Sequence, residues 1–167
     1  ALAACDRAHI VPSVFSEEYV DELIGVMQAE KIKMMFSLND LEAAILSKAR
    51  DRIESETGAT VYIPNTDVVE ICEDKWATYN YATQKGIQVP KSFIQLGEAE
   101  LALNSGEISF PLIVKPRCGS ASIGLFRVSC IEKLREDFVT CSEVVLESSL
   151  HGLMQEETVL IQELIEG

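Results

Sequence analysis

The sequence is short of positive charge: Lys and Arg number 14 against 27 Asp and Glu, for a formal net charge of −13. A chain this acidic is unsuited to nucleic acid or an anionic membrane surface as its main partner, so any anion site has to be local. No apolar run approaches the length of a membrane span, and no basic segment leads into an apolar one as in a secretory signal. Five cysteines (Cys5, Cys72, Cys118, Cys130 and Cys141) are an odd number without C-x-x-C spacing. That argues against a disulfide framework or a zinc site and for reduced thiols in a cytoplasmic protein. His9 and His151 stand far apart with no ligand spacing between them, so no metal site is read from this chain. Internal repeats and low-complexity segments are absent too. So is the Walker A pattern G-x-x-x-x-G-K-[ST]. Asp40 with Glu42 imitates a carboxylate pair, but Asp40 reads more simply as a helix cap, and Glu17-Glu18 as a solvated first turn.

What the chain does have is apolar content, 47% of 167 residues, enough to pack one domain, or one domain plus part of another. Residues 8–12 read as a short strand. Ser16 is expected to cap a helix with Val20, Leu23, Ile24 and Met27 on one face. Residues 32–37 read as a strand buried on both sides. Asn39-Asp40 then caps a helix that fades near Gly58, and residues 60–63 form another strand. Strand–helix alternation predicts a parallel α/β sheet for residues 8–64. A second unit begins with a helix capped by Thr66 and another over residues 75–85 that ends at Gly86. Val89-Pro90 opens an extended segment, and a short helix covers residues 98–104. Two strands flank a Gly-Ser loop, a helix covers residues 131–138, and strands lie near 143–146 and 158–164. This content predicts an α+β unit, with the division near residues 64–75 and the units drawn as 1–68 and 69–167. The start at Ala1 and the stop at Gly167, straight after a strand-like segment, suggest a piece of a longer polypeptide. The first sheet is accordingly expected to show an exposed edge prone to association.

The most informative stretch is residues 110–128. An apolar strand delivers Lys115 and Arg117, a loop of small residues follows, and a second strand starts at Gly124. Two positive charges and a run of unobstructed backbone N–H groups at one spot suit a polyphosphate. Strand, Lys-Pro, Gly-Ser loop, strand resembles the ATP-grasp superfamily, and specifically its carbamoyl-phosphate synthase large-chain-like ligases. Asp74-Lys75-Trp76-Ala77-Thr78 is similar to that family's entry helix, and Gly86-Ile87-Gln88-Val89-Pro90 to the turn after it. Ile161-Gln162-Glu163-Leu164-Ile165-Glu166-Gly167 is similar to its hinge strand. The resemblance implies an incomplete doubly wound pre-ATP-grasp domain followed by the ATP-grasp A-subdomain, or lid, with antiparallel strands. The family's acidic Mg²⁺ ligands are expected outside this chain.

The same resemblance gives roles to residues that are unremarkable alone. Lys115 would act as a point charge on the α-phosphate, where the plain alternative is a strand-end lysine reaching solvent. Lys75 would be a second phosphate contact, although a lysine is mildly unfavourable at a helix start. Arg117 is equally suited to a bidentate phosphate or carboxylate contact and to pairing with one of the many acids. Gly119, Ser120, Ala121, Ser122 and Gly124 form either an ordinary hairpin turn or a cradle for the β- and γ-phosphates. The loop is expected to be mobile until it closes on the nucleotide. Cys118 has no histidine close in sequence to activate it, which argues against a nucleophilic role. In the hinge, the Gln162 side chain would accept from adenine N6, and the Glu163 carbonyl and Ile165 N–H would read the adenine edge.

Three function classes follow. The first is the ATP-binding portion of a carboxylate–amine (or ammonia) ligase working through an acyl phosphate. Its partners are ATP and a carboxylate substrate, self-association is compatible with it, and the piece alone is expected to be inactive. The second is a nucleotide-binding or regulatory module without catalysis inside a larger assembly. The third, an α/β interaction domain that binds no nucleotide, requires the Lys115 loop to be coincidence.

Overall fold

The computed structural model describes residues 5–119, 122–148 and 157–165. Its contacts divide the chain into two units that meet between Val69 and Glu70.

In the first unit, α1 (Tyr19–Ala29) is followed by β1 (Met34–Phe36), α2 (Asp40–Thr57) and β2 (Thr60–Tyr62). The strands pair in parallel, with Met35 opposite Val61. Val61 and Ala59 join Tyr19, Ile24 and Met27 of α1 and Leu46 and Ile53 of α2 in one buried cluster. Three expectations need correcting. Residues 8–12 form no strand: Ile10 is fully exposed, and Pro12 has no N–H to give to a ladder. β1 is not buried on both sides, because Met34 and Phe36 are more than half exposed on the face away from the cluster. There Phe36 stacks on Tyr62 with ring centroids 4.8 Å apart. The caps also differ. Ser16 Oγ accepts from the Glu18 N–H at 3.3 Å without capping α1, whose N-cap is Glu18. In α2 the cap is Asn39, accepting from Leu41 N–H at 3.0 Å, and Asp40 is the first helical residue. Gly58 closes α2 in the left-handed region that glycine tolerates best.

α3 (Thr66–Glu73) runs across the division. The second unit continues with α4 (Lys75–Gln84), β3 (Ser92–Phe93), α5 (Leu96–Asn104), β4 (Leu112–Pro116), β5 (Phe126–Val128), α6 (Ile131–Glu147) and β6 (Val159–Glu163). The sheet order is β3-β6-β4-β5, and every pairing is antiparallel. Alternation sorts the side chains of this sheet by face. Leu112, Val114, Val128, Val159 and Ile161 enter a buried cluster with Ala99 and Ala102 of α5 and Leu134 and Cys141 of α6. The expected strand near 143–146 is instead the last part of α6. A short apolar run such as Val144-Val145-Leu146 fits either element. Leu134, Cys141 and Val145 share one helical stripe and are fully buried, and that burial decides for the helix.

Candidate functional site

The site lies on the other face of that sheet, where Ile113, Lys115 and Gln162 alternate with the buried residues. Gln162 pairs with Ile113 on one side and Ser92 on the other, and Lys115 pairs with Leu160. Across this register a polar chain forms. Lys115 Nζ donates to Gln162 Oε1 at 2.7 Å, and Gln162 Nε2 donates to Ser92 Oγ at 2.8 Å. Both Gln162 and Lys115 are therefore partnered within the sheet, and the Gln162 oxygen expected to meet adenine accepts here from the lysine.

The second ammonium comes from the first residue of α4. Asp74 caps this helix, its Oδ1 accepting from Trp76 N–H at 2.9 Å. Lys75 Nζ donates to the carbonyls of Gly119 at 2.9 Å and Arg117 at 3.4 Å. The Lys75 backbone N–H also donates to the Arg117 carbonyl, at 3.1 Å. These carbonyls offset the unfavourable position of a lysine at a helix N-terminus. Burial pushes the pKa of Lys75 below its ordinary value. Burial, and then the Lys75 charge, push Lys115 down as well. Among the described residues neither forms an ion pair; their hydrogen-bond partners are neutral oxygens.

Arg117 is used differently. Its Nε and Nη2 fork onto the two carboxylate oxygens of Asp74 at 2.8 and 2.6 Å. Burial alone would raise Asp74, but the Arg117 fork and the N–H groups of Trp76 and Ala77 outweigh it and hold the carboxyl below its usual range. Of the two roles open to Arg117, the structure shows pairing with an acid. Beyond it the backbone turns through left-handed positions at Gly119 (φ 102°), Ser122 (φ 58°) and Gly124 (φ 70°). A Cβ at Gly124 would stand 3.1 Å from Pro116 Cγ and 3.3 Å from Val144 Cγ1, so glycine is needed there for space as well as for φ. Ser120 and Ala121 lie outside the described residues. Burial raises the Cys118 thiol, which keeps it protonated and unreactive.

β6 ends at Glu163, and Leu164 and Ile165 continue outside the ladder. They join Glu163, Ser109, Phe110 and Pro111 around a groove of about 370 Å³. This groove adjoins the Leu112 end of β4, three residues from Lys115 along the strand. The structure therefore brings Lys75, Lys115, Arg117, Gly119 and Gln162 together and places Glu163 and Ile165 at a neighbouring groove. Sequence reasoning missed Ser92, which holds Gln162, and the part played by Asp74. An acid immediately before a helix start was the available signal for a cap. Among the described residues no group of three or more His, Cys, Asp or Glu could hold a metal ion.

Residues 1–62 match the family described as PylC-like, N-terminal domain. Over 59 residues the chain is 46% identical to the glutamate–LysW ligase ArgX of Sulfurisphaera tokodaii, which is 35% of this chain and 21% of that protein. Over 146 residues it is 29% identical to the D-alanine–D-alanine ligase A of Bacillus cereus, covering 78% of this chain and 48% of that one. It thus spans less than half the length of these curated relatives. Among solved structures it is similar to the biotin carboxylase domain of the Hydrogenobacter thermophilus 2-oxoglutarate carboxylase. There the TM-score is 0.70 at 16% identity, over 99% of this chain and 36% of that one. It is also similar to the L-amino acid ligase of Bacillus licheniformis, with a TM-score of 0.66 at 21% identity, over 94% of this chain and 35% of that one. At these identities the structural likeness speaks for the fold. With the four-stranded antiparallel sheet and the sequence relatives beside it, the chain has the fold of ATP-grasp domains and is similar to ATP-grasp ligases.

Proposed function

We propose that the chain is the ATP-binding portion of a ligase that joins a carboxylate to an amine or ammonia through an acyl phosphate. The observation that carries this reading is the pair Lys75 and Lys115: two half-buried ammonium groups, depressed by burial, that make no ion pair among the described residues. Such an arrangement is unfavourable in the empty protein and becomes favourable when an anion arrives. A triphosphate supplies several charges, and Gly119, without a side chain, leaves its backbone approachable beside them. The ligase relatives support the reaction class.

In this reading the γ-phosphoryl group passes from ATP to a carboxylate oxygen, leaving ADP. The amine then attacks the acyl carbon, and inorganic phosphate and a proton leave. Lys75 and Lys115 neutralise and align the nucleotide, while Gln162 orients Lys115 and can turn its amide toward adenine. Glu163 and Ile165 present backbone groups at the groove beside the hinge. A Mg²⁺ ion would supply charge to offset that of the phosphates, but the described residues hold no group of three or more His, Cys, Asp or Glu for it, so no step here rests on the metal. The division into a partial pre-ATP-grasp unit and a lid unit belongs to the same proposal. So do placement among carbamoyl-phosphate synthase-like ligases, a cytoplasmic setting and self-association. The Hydrogenobacter domain was solved as a dimer. Among the described residues no helix is long and apolar enough to cross a membrane.

Calorimetric titration of the full-length protein with MgATP tests the reading. Lys115→Ala removes a charge-assisted contact of about 1.5–3 kcal/mol, roughly a ten- to hundredfold loss of affinity. Wild-type affinity in that variant would remove Lys115 from the site.

A further inference from the structure

All three guanidinium nitrogens of Arg117 donate to protein groups. Besides the fork onto Asp74, its Nη1 reaches the Glu157 carbonyl at 3.4 Å, and its backbone N–H donates to Thr158 O at 2.8 Å. Its carbonyl accepts from both nitrogens of Lys75. Asp74 is engaged as well, since the oxygen that takes Arg117 Nε also caps α4. Lys75 is the residue after Asp74, and Lys115 stands two residues before Arg117. The ion pair therefore fastens the first turn of the helix carrying one ammonium to the end of the strand carrying the other.

We propose that Asp74 and Arg117 are positioning residues: their bidentate pair sets the spacing of Lys75 and Lys115 for a nucleotide's phosphates, and Arg117 makes no phosphate contact itself. This rests on the nucleotide reading above. Three observations carry it. The pair joins the residue before Lys75 to the residue two after Lys115, so it ties together the two segments that carry the ammonium groups. The pair is sheltered, its side chains only 26% and 20% exposed, which limits screening by water and salt. The contact uses the planar guanidinium fork, and an ammonium cannot reproduce that geometry. Arg117 and Asp74 act through the lysines, much as an outer shell orients the groups that touch a ligand.

The alternative, Arg117 as a direct phosphate ligand, predicts the opposite behaviour for Asp74. Releasing the guanidinium from its carboxylate would then free it for the nucleotide and tighten binding. The experiment is a double-mutant cycle on the full-length protein, titrated with MgATP by calorimetry. Thermal melts run alongside. Asp74→Asn is chosen because its amide oxygen can still cap α4 while the fork is lost. Arg117→Met keeps the apolar stem.

Each substitution is expected to weaken MgATP by roughly tenfold, the scale of a misplaced contact, and the double variant is expected to be no weaker than either single. Arg117→Lys does not restore binding. In the Arg117→Met background, Lys75→Ala loses most of its own effect, a readout that a purely structural role would leave unmoved. Unchanged or tighter binding in Asp74→Asn, beside a loss in Arg117→Met, overturns the proposal. So do additive losses, or lowered melting temperatures with unchanged affinities. If wild type binds and Lys115→Ala does not, while both pair variants are neutral, only this proposal fails. A wild-type protein that binds no MgATP takes the nucleotide reading down with it.

Discussion

The two faces of strands β4 and β6 are built from alternate residues of the same segments, yet they do different work. On one face Leu112, Val114, Val159 and Ile161 are essentially without solvent contact, packed against α5 and α6. On the other, Lys115, Gln162 and Ser92 form a hydrogen-bonded polar row, with a second lysine arriving from α4. A period of two separates the packed residues of the sheet from the polar row proposed to meet a nucleotide. Substitutions one position apart should therefore report different quantities. The largest expected effect is on the packed face. Leu112→Ala empties part of a fully buried position and should destabilise the protein by about 2–5 kcal/mol, roughly 2–4 °C in melting temperature per kcal/mol for a chain of this size. Chemical denaturation with a MgATP titration at low denaturant separates the faces. If Leu112→Ala left stability intact and removed binding, the division of labour would be wrong.

A smaller effect sharpens the comparison where the chain crosses from one role to the other. Gly124 closes the turn between β4 and β5 at φ 70°, and a methyl group there meets Pro116 and Val144 at 3.1–3.3 Å. Left-handed strain and crowding together predict a loss of roughly 1–3 kcal/mol in stability for Gly124→Ala. A melt indistinguishable from wild type would show that the turn has another conformation open to it.

Much of this division could be read along the chain. The apolar run before Lys115 announced β4, the Gly-Ser segment announced the turn, and Lys115 stood out because a basic residue beside a glycine loop is informative in so acidic a sequence, whereas Lys75 was singled out by the family resemblance alone. The end of α6 was not legible, since Val144-Val145-Leu146 carries no period of its own and only burial of Cys141 and Val145 decides it. Nor was the exposure of β1, because an apolar run such as Ile32-Lys33-Met34-Met35-Phe36 does not say how many of its faces are covered. The partner of Arg117 was the hardest to foresee: with 27 acids available, choosing Asp74 requires knowing that α4 starts beside the end of β4. Hydrogen-bonded polar pairs far apart in sequence are set by the fold, whereas strand alternation and helix caps are set locally.

The smallest effect concerns pH, and it tests whether the polar face is under electrostatic load. Burial lowers the pKa values of Lys75 and Lys115 from the ordinary 10.5, whereas the unfolded chain keeps it. Between the folded and unfolded values the folded protein holds fewer protons, so these lysines favour folding more as pH rises through that window. Other groups work the other way. Cys141 is raised to about 11 by burial, and Tyr19 to about 12 by burial and Glu42. Both groups contribute stability below their unfolded values, and that contribution is lost as pH climbs toward the folded ones. Whole-protein melts therefore mix opposite signs, but the difference between wild type and Lys115→Met cancels the terms the two proteins share. At pH values where Lys115 is protonated in the folded protein, the variant, relieved of a desolvated charge, should melt higher than wild type without nucleotide. As pH rises toward 10.5 that advantage should shrink, and the MgATP affinity of wild type should fall as its ammonium groups lose their protons. A constant difference across the range would mean that Lys115 sits there without strain, and that the polar face is as settled as the packed one.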